Sequence, residues 1–159
     1  MANNSIKGDG KEPPRLMLNE PYTRIKEETM ANKKRIFISF DVDHDKGTKE
    51  MLAGQANLPD SPFEFKDASV KEPLTGDWKE KVKRRMDNID VVIVLCGEKT
   101  HTATGVAAEL TIAKDKGKSY FLLAAYSDKD CTKPTSASAS DKVYNWTWPN
   151  LKTLIAGAR

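Results

Sequence analysis

Apolar positions along the chain fall into two kinds of run, and their alternation predicts the fold. Ile36, Phe37, Ile38 and Phe40 stand together with only Ser39 polar among them, and Val91 to Cys96 is continuously apolar before a closing Gly97. Runs without polar alternation mark strands buried on both faces, the pattern of a parallel sheet covered by helices. Ser119–Tyr126 reads as another buried strand, and Phe63–Asp67 alternates like a strand nearer the sheet edge. Between them lie stretches of helical period. Residues 48–57 form a weak helix candidate around Met51 and Leu52. Trp78, Val82, Met86 and Ile89 recur at helical spacing, with Asp77 as N-cap and Glu80 in the capping-box position. Val106, Leu110 and Ala113 define a helix over about 105–116 that Gly117 stops. Leu151, Leu154 and Ile155 give a last short helix its apolar side, with Pro149 at its first position; Trp146 and Trp148 are expected to pack beside it, with stacking on a ligand as the alternative. Crossovers of this length suit parallel pairing, and nothing resembles a hairpin. The expected class is therefore α/β, a flavodoxin-like three-layer fold with a mostly parallel sheet in the order 2-1-3-4-5.

The ends of the chain add little to that core. Residues 1–32 mix Gly8, Gly10, Pro13, Pro14 and Pro21 with many polar residues, so they are expected to form a flexible or loosely packed extension before a domain spanning 33–159. Met30 offers an alternative start. Ser127–Asp141, rich in Ser, Thr, Ala and Asp, is expected as a long mobile loop. With 159 residues the chain has room for one ordinary domain. No apolar run reaches the roughly 20 residues needed to span a bilayer, and no apolar leader precedes a small-residue cleavage site, so the expected location is the cytoplasm, away from any membrane. Cys96 and Cys131 have no metal-type spacing and are expected as reduced thiols. The net charge of +3 is small, and Lys79, Lys81, Lys83, Arg84 and Arg85 fit the solvated face of a helix; nucleic acid is not an expected partner.

Ligands of an open α/β sheet bind outside the carboxyl ends of its strands. There the first strand breaks into Asp41, Asp43 and Asp45, followed by Gly47. These carboxylates would repel the phosphate of a flavin mononucleotide. A phosphoacceptor receiver domain needs an Asp at the end of the central strand, where this chain has Cys96-Gly97-Glu98. The spacing imitates a calcium loop, but Gly47 comes one residue late and Leu52 stands where the closing carboxylate belongs. No metal site is assigned, though loose Mg²⁺ binding stays open. Loop solvation and helix capping are the plain alternative for these acids. The chain also lacks a dinucleotide-binding glycine motif, a P-loop and a serine elbow. His44 and His101 fall in loops and are expected to be exposed. Glu109 lies beside Val106 and Leu110, close to the buried stripe, where a carboxylate is costly without a task or a partner.

Taken together, Arg35-Ile-Phe-Ile-Ser-Phe-Asp41 with Asp45, the loop from Asp67 to Trp78, Val91–Leu95, Thr104-Gly-Val-Ala-Ala-Glu109 and Tyr144-x-Trp146-x-Trp148-x-x-Leu151 resemble the TIR domain family. The likeness is greater to its bacterial TIR-like branch, which includes the second component of Thoeris anti-phage systems. The resemblance implies cleavage of the nicotinamide–ribose bond of NAD, as substrate rather than cofactor, and conversion of ADP-ribose into a signal, in some members cyclic, for an effector partner. It makes Glu109 the catalytic residue and Phe40, Asp41, Asp67 and Trp78 the substrate-binding ones, with Asp67 and Trp78 flanking the BB loop; Asp43 joins them beside Asp41, the two acids being expected to add negative field near the ribose or to orient it. Gly105 stands where the family usually has Trp. Homo-oligomers occur in the family, and two other readings go with it: a non-catalytic interaction module, or a nucleotide sensor.

Overall fold

The computed structural model describes residues 33–65 and 76–157. The N-terminal extension, Asp67 and nearly all of the loop before Gly76 lie outside the described residues. Five strands, β1 (Lys34–Ser39), β2 (Phe63–Phe65), β3 (Val91–Cys96), β4 (Ser119–Ala124) and β5 (Val143–Tyr144), form one sheet in the order β2-β1-β3-β4-β5. Every pairing is parallel. The helices are α1 (Lys46–Gln55), α2 (Gly76–Met86), α3 (Thr104–Asp115) and α4 (Trp148–Ile155). This is the flavodoxin-like α/β arrangement that the unalternating strands imply.

Strand alternation sorts the core into two layers. Ile36, Ile38, Ile93, Leu95, Phe121 and Leu123 point to one face, where Leu52 of α1 and Leu151, Leu154 and Ile155 of α4 cover them. Phe37, Val92, Val94, Cys96 and Leu122 point to the other, under Trp78, Val82 and Met86 of α2 and Val106, Leu110 and Ala113 of α3. Register between β1 and β3 sets Ser39 opposite Val94, so the two strands finish side by side. At the amino-terminal edge the Asp90 carboxylate accepts from the Arg35 backbone N–H at 2.8 Å and from its guanidinium at 3.2 and 3.3 Å. Those bonds hold Asp90 below the usual carboxylate range.

Several boundaries shift from the sequence expectation, each for a local reason. Helix α1 starts two residues early because the Asp45 carbonyl accepts from Lys49 N–H at 3.0 Å, and after Gln55 the chain tightens into i→i+3 bonds. Asp77 lies inside the first turn of α2 rather than at its cap, where its charge still suits the helix dipole, and Glu80 accepts from Lys83 at 3.2 Å. Pro149 takes the second position of α4, behind a Thr147 hydroxyl that accepts from Asn150 N–H. Strand β4 stops at Ala124. The segment 127–141 is fastened at several points: Lys133 Nζ donates to the carbonyls of Ser138, Ala139 and Asp141, Ser136 Oγ to Ala107, and Tyr120 OH to Asp141. Among the described residues no helix is long and apolar enough to cross a membrane. Cys96 and Cys131 are free thiols.

Helix α3 ends as its sequence indicates. Gly117, at φ +65°, lets its own N–H reach Lys114 O and the Lys118 N–H reach Ala113 O, the paired bonds of a Schellman stop. Gly54 in α1 has no such need, and a Cβ there meets nothing within 4 Å. Gly117→Ala should therefore cost about 1–2 kcal/mol, the penalty for a side chain in the left-handed region. Gly54→Ala should stabilise by up to about 1 kcal/mol. Urea unfolding of the two variants beside the parent checks the opposite signs.

Candidate active site

Ser39 is the last residue of β1 and shares the face of Phe37, the face that α3 covers. This alternation brings a hydroxyl under Glu109, which sits one helical turn after Val106. Ser39 is fully buried, and its Oγ donates to Glu109 Oε1 at 2.8 Å. Glu109 is half-buried, and desolvation pushes its carboxyl up to about 8, with the Ser39 bond opposing that rise by favouring the charged form. No basic side chain among the described residues contributes to its field.

The turn after β1 is built by its own acids. Asp41, 6% exposed, accepts from the Asp43 N–H at 3.0 Å and meets His44 Nδ1 at 2.7 Å, while its carbonyl accepts from Asp45 N–H at 2.8 Å. Asp43 and His44 face solvent, as expected for the histidine. Asp45 is 2% exposed, which neither simple solvation nor capping explains, since its side chain makes no cap bond to α1. Its Oδ1 accepts from Tyr126 OH at 2.9 Å, whereas Oδ2 is buried without a hydrogen-bond partner among the described residues. That oxygen presses on Gly97 at the end of β3, where an added Cβ would lie 2.4 Å from it. Burial raises the Asp45 carboxyl above its ordinary range, Tyr126 pulls it back, and the neighbouring Asp41 charge adds to the rise. Three strand ends thus converge on this one side chain: its own turn from β1, Gly97 from β3 and Tyr126 beyond β4.

The remaining candidates are dispersed. Phe40 packs toward the α1 and α4 layer, opposite the face carrying Ser39 and Glu109, with Lys49 Nζ 5.5 Å from its ring centre. Trp78 is buried among Phe37, Val82 and Val106, so its ring is a core element of the layer that holds Glu109. The structure joins Glu109 with Ser39, and Asp41 with Asp43 and Asp45. Among the described residues no cluster of His, Cys, Asp and Glu could hold a metal ion. Ser39 was signalled by being polar in an apolar strand. Tyr126 and Lys49 had no comparable signal.

Residues 37–130, more than half of the chain, match the family described as Thoeris protein ThsB, TIR-like domain. The chain belongs to the Thoeris ThsB TIR-like family. No curated protein matches it. The matched stretch of this TIR-like domain opens in β1 and closes just past Tyr126, so it holds Ser39, Asp41, Asp45, Gly97 and Glu109 together, while β5 and α4 fall beyond it.

A carboxyl raised to about 8 from its usual 4.5 keeps in the folded protein a proton that the unfolded chain releases, so its contribution to stability declines as pH rises between those values. Glu109→Gln retains an acceptor for Ser39 and has no such dependence. Its melting temperature should equal the parent's near pH 4.5 and exceed it by up to about ten degrees at pH 8. Melting curves of both proteins across that range provide the check; a constant difference would contradict the assignment.

Proposed function

We propose that this TIR-like domain cleaves the nicotinamide–ribose bond of NAD, with Glu109 as its catalytic carboxylate, and that the ADP-ribose moiety leaves as a linear or cyclic signal acting on an effector protein in anti-phage defence. The observation that supports this most is the Glu109 carboxyl beside the carboxyl ends of β1 and β3, bonded to Ser39 Oγ at 2.8 Å and set in a field without a basic partner among the described residues. A purely structural acid at such a site would more commonly be paired.

One carboxylate is enough for this chemistry. Glycosidases need a second acid to protonate the leaving oxygen. Nicotinamide instead departs from a pyridinium: the bond between C1′ and the ring nitrogen breaks, its electron pair stays on the nitrogen, and the ring leaves neutral. The positive charge passes to the ribose, where a carboxylate stabilises it. Water then bonds to C1′ and releases a proton to solvent, or a nucleophile of the same molecule closes a ring. Near neutral pH the raised Glu109 carboxyl is mostly protonated while the site is empty. An arriving pyridinium favours the ionised form, so substrate charge generates the carboxylate it requires. Asp43, exposed on the turn after β1, and Asp41 beneath it add negative potential to the same edge.

Incubating the full chain with NAD should release nicotinamide, and Glu109→Gln should lower that rate by at least a hundredfold. Retained turnover in the variant, or NAD bound by the parent and recovered intact, would overturn the proposal. The parent's kcat/KM should climb with pH toward about 8. Ser39→Ala removes a bond that favours the charged form and should move this limb to higher pH while leaving its plateau largely in place.

A further inference from the structure

A groove of about 930 Å³ opens at the carboxyl ends of β4 and β5 against α1, lined by Met51, Gln55, Tyr126, Asp128, Asp130 and Trp146 among others, and Glu109 is not part of it. We propose that it binds an uncharged planar nitrogen heterocycle, a nucleoside or free base, stacked on the Trp146 indole with the Met51 side chain packing against the guest. Its volume lies within the usual range for small-ligand pockets. The half-buried Trp146 indole is held in orientation by its Nε1–H bond to Gln55 Oε1 at 3.0 Å, so a flat face is in place before any ligand arrives. Met51, one helical turn before Gln55 on α1, lines the same groove and is 65% exposed, a large apolar side chain that the core does not use. Thioethers pack well against rings. The amides of Gln55 and Asn145 line the same space and suit the polar edge of a heterocycle.

The rim decides the charge of the guest. Asp128 and Asp130 are both exposed, and the lysine between them, Lys129, lies 3.6 Å from Glu98 and 4.4 Å from the centre of the Tyr126 ring. The local balance is negative and disfavours a phosphate tail. Free bases, including nicotinamide, and nucleosides share the required chemistry. The test distinguishes them.

The full chain carrying Glu109→Gln, in which binding is read independently of any turnover, is titrated with adenosine, nicotinamide and adenosine monophosphate. The Trp146 indole N–H resonance, assigned through Trp146→Phe, reports binding. Adenosine or nicotinamide should shift it saturably, and whichever does identifies the source. Met51→Glu, a change at an exposed position, should weaken that binding at least fivefold. Adenosine monophosphate should bind at least fivefold more weakly than adenosine at low salt, and Asp128→Asn with Asp130→Asn should remove most of that difference. No saturable shift with either neutral probe, unchanged affinity in Met51→Glu, or equal affinity for the phosphorylated and unphosphorylated nucleoside would overturn the proposal.

Discussion

Glu109 and Asp45, two of the acids at the carboxyl-terminal edge of an otherwise apolar sheet, take their side-chain hydrogen bonds from hydroxyls: Ser39 for Glu109 and Tyr126 for Asp45. The opposite edge follows the ordinary rule, with Asp90 bound by Arg35 and held below the usual carboxylate range. Burying a carboxyl under a single neutral hydrogen bond costs stability through desolvation. At Asp45 the deficit is plainest, because Oδ2 has no hydrogen-bond partner among the described residues and only a glycine at position 97 leaves room for it. The asymmetry between the edges follows the direction of all the strands, since a parallel sheet gathers every βα turn on one side.

That constraint also explains why the site depends so strongly on β1 and β3. These strands flank the point where chain order reverses in the sheet, and the helix that links β3 to β4 packs on β1 as well, where Glu109 meets Ser39. A one-residue slip between face and register would turn Ser39 toward α1 and α4 and leave Glu109 without its hydroxyl. The two core layers fix the register, Ile36 and Ile38 packing on one side and Phe37 on the other.

Much of the fold was legible because period and length agree wherever an element is buried. Val91–Cys96 could hardly be other than a central strand, and Gly117 could hardly be other than a helix stop. Boundaries moved where backbone bonds compete locally, as at Asp45, whose carbonyl rather than its carboxylate starts α1. For the site, the sequence singled out Glu109 from its place beside an apolar stripe. It could not show the partner, because contact between residues 39 and 109 is a product of topology. Tyr126 was hidden for the same reason: at the end of a buried strand an aromatic reads as core, and nothing local shows its hydroxyl crossing to Asp45. Phe40 and Trp78 carried the reverse ambiguity, since aromatics at strand and helix ends serve packing and ligands alike. Their rings here lie in opposite layers of the core.

The proton on Glu109 ties these observations to the proposed chemistry. A carboxylate stabilised by a permanent cation would be charged before substrate arrived, but that cation would also offset the field at the ribose. A carboxyl held by a serine hydroxyl is neutral when empty and becomes an anion as a positive ring approaches, with no fixed charge to cancel it. On that proposal, the stability given up by desolvating the acid would be the source of its selectivity. A neutral ring, such as reduced nicotinamide, gives the carboxyl no reason to ionise and carries no charge to hand to the sugar. Discrimination between the two would come from the electrostatics of one side chain, without any direct contact to the ring being required.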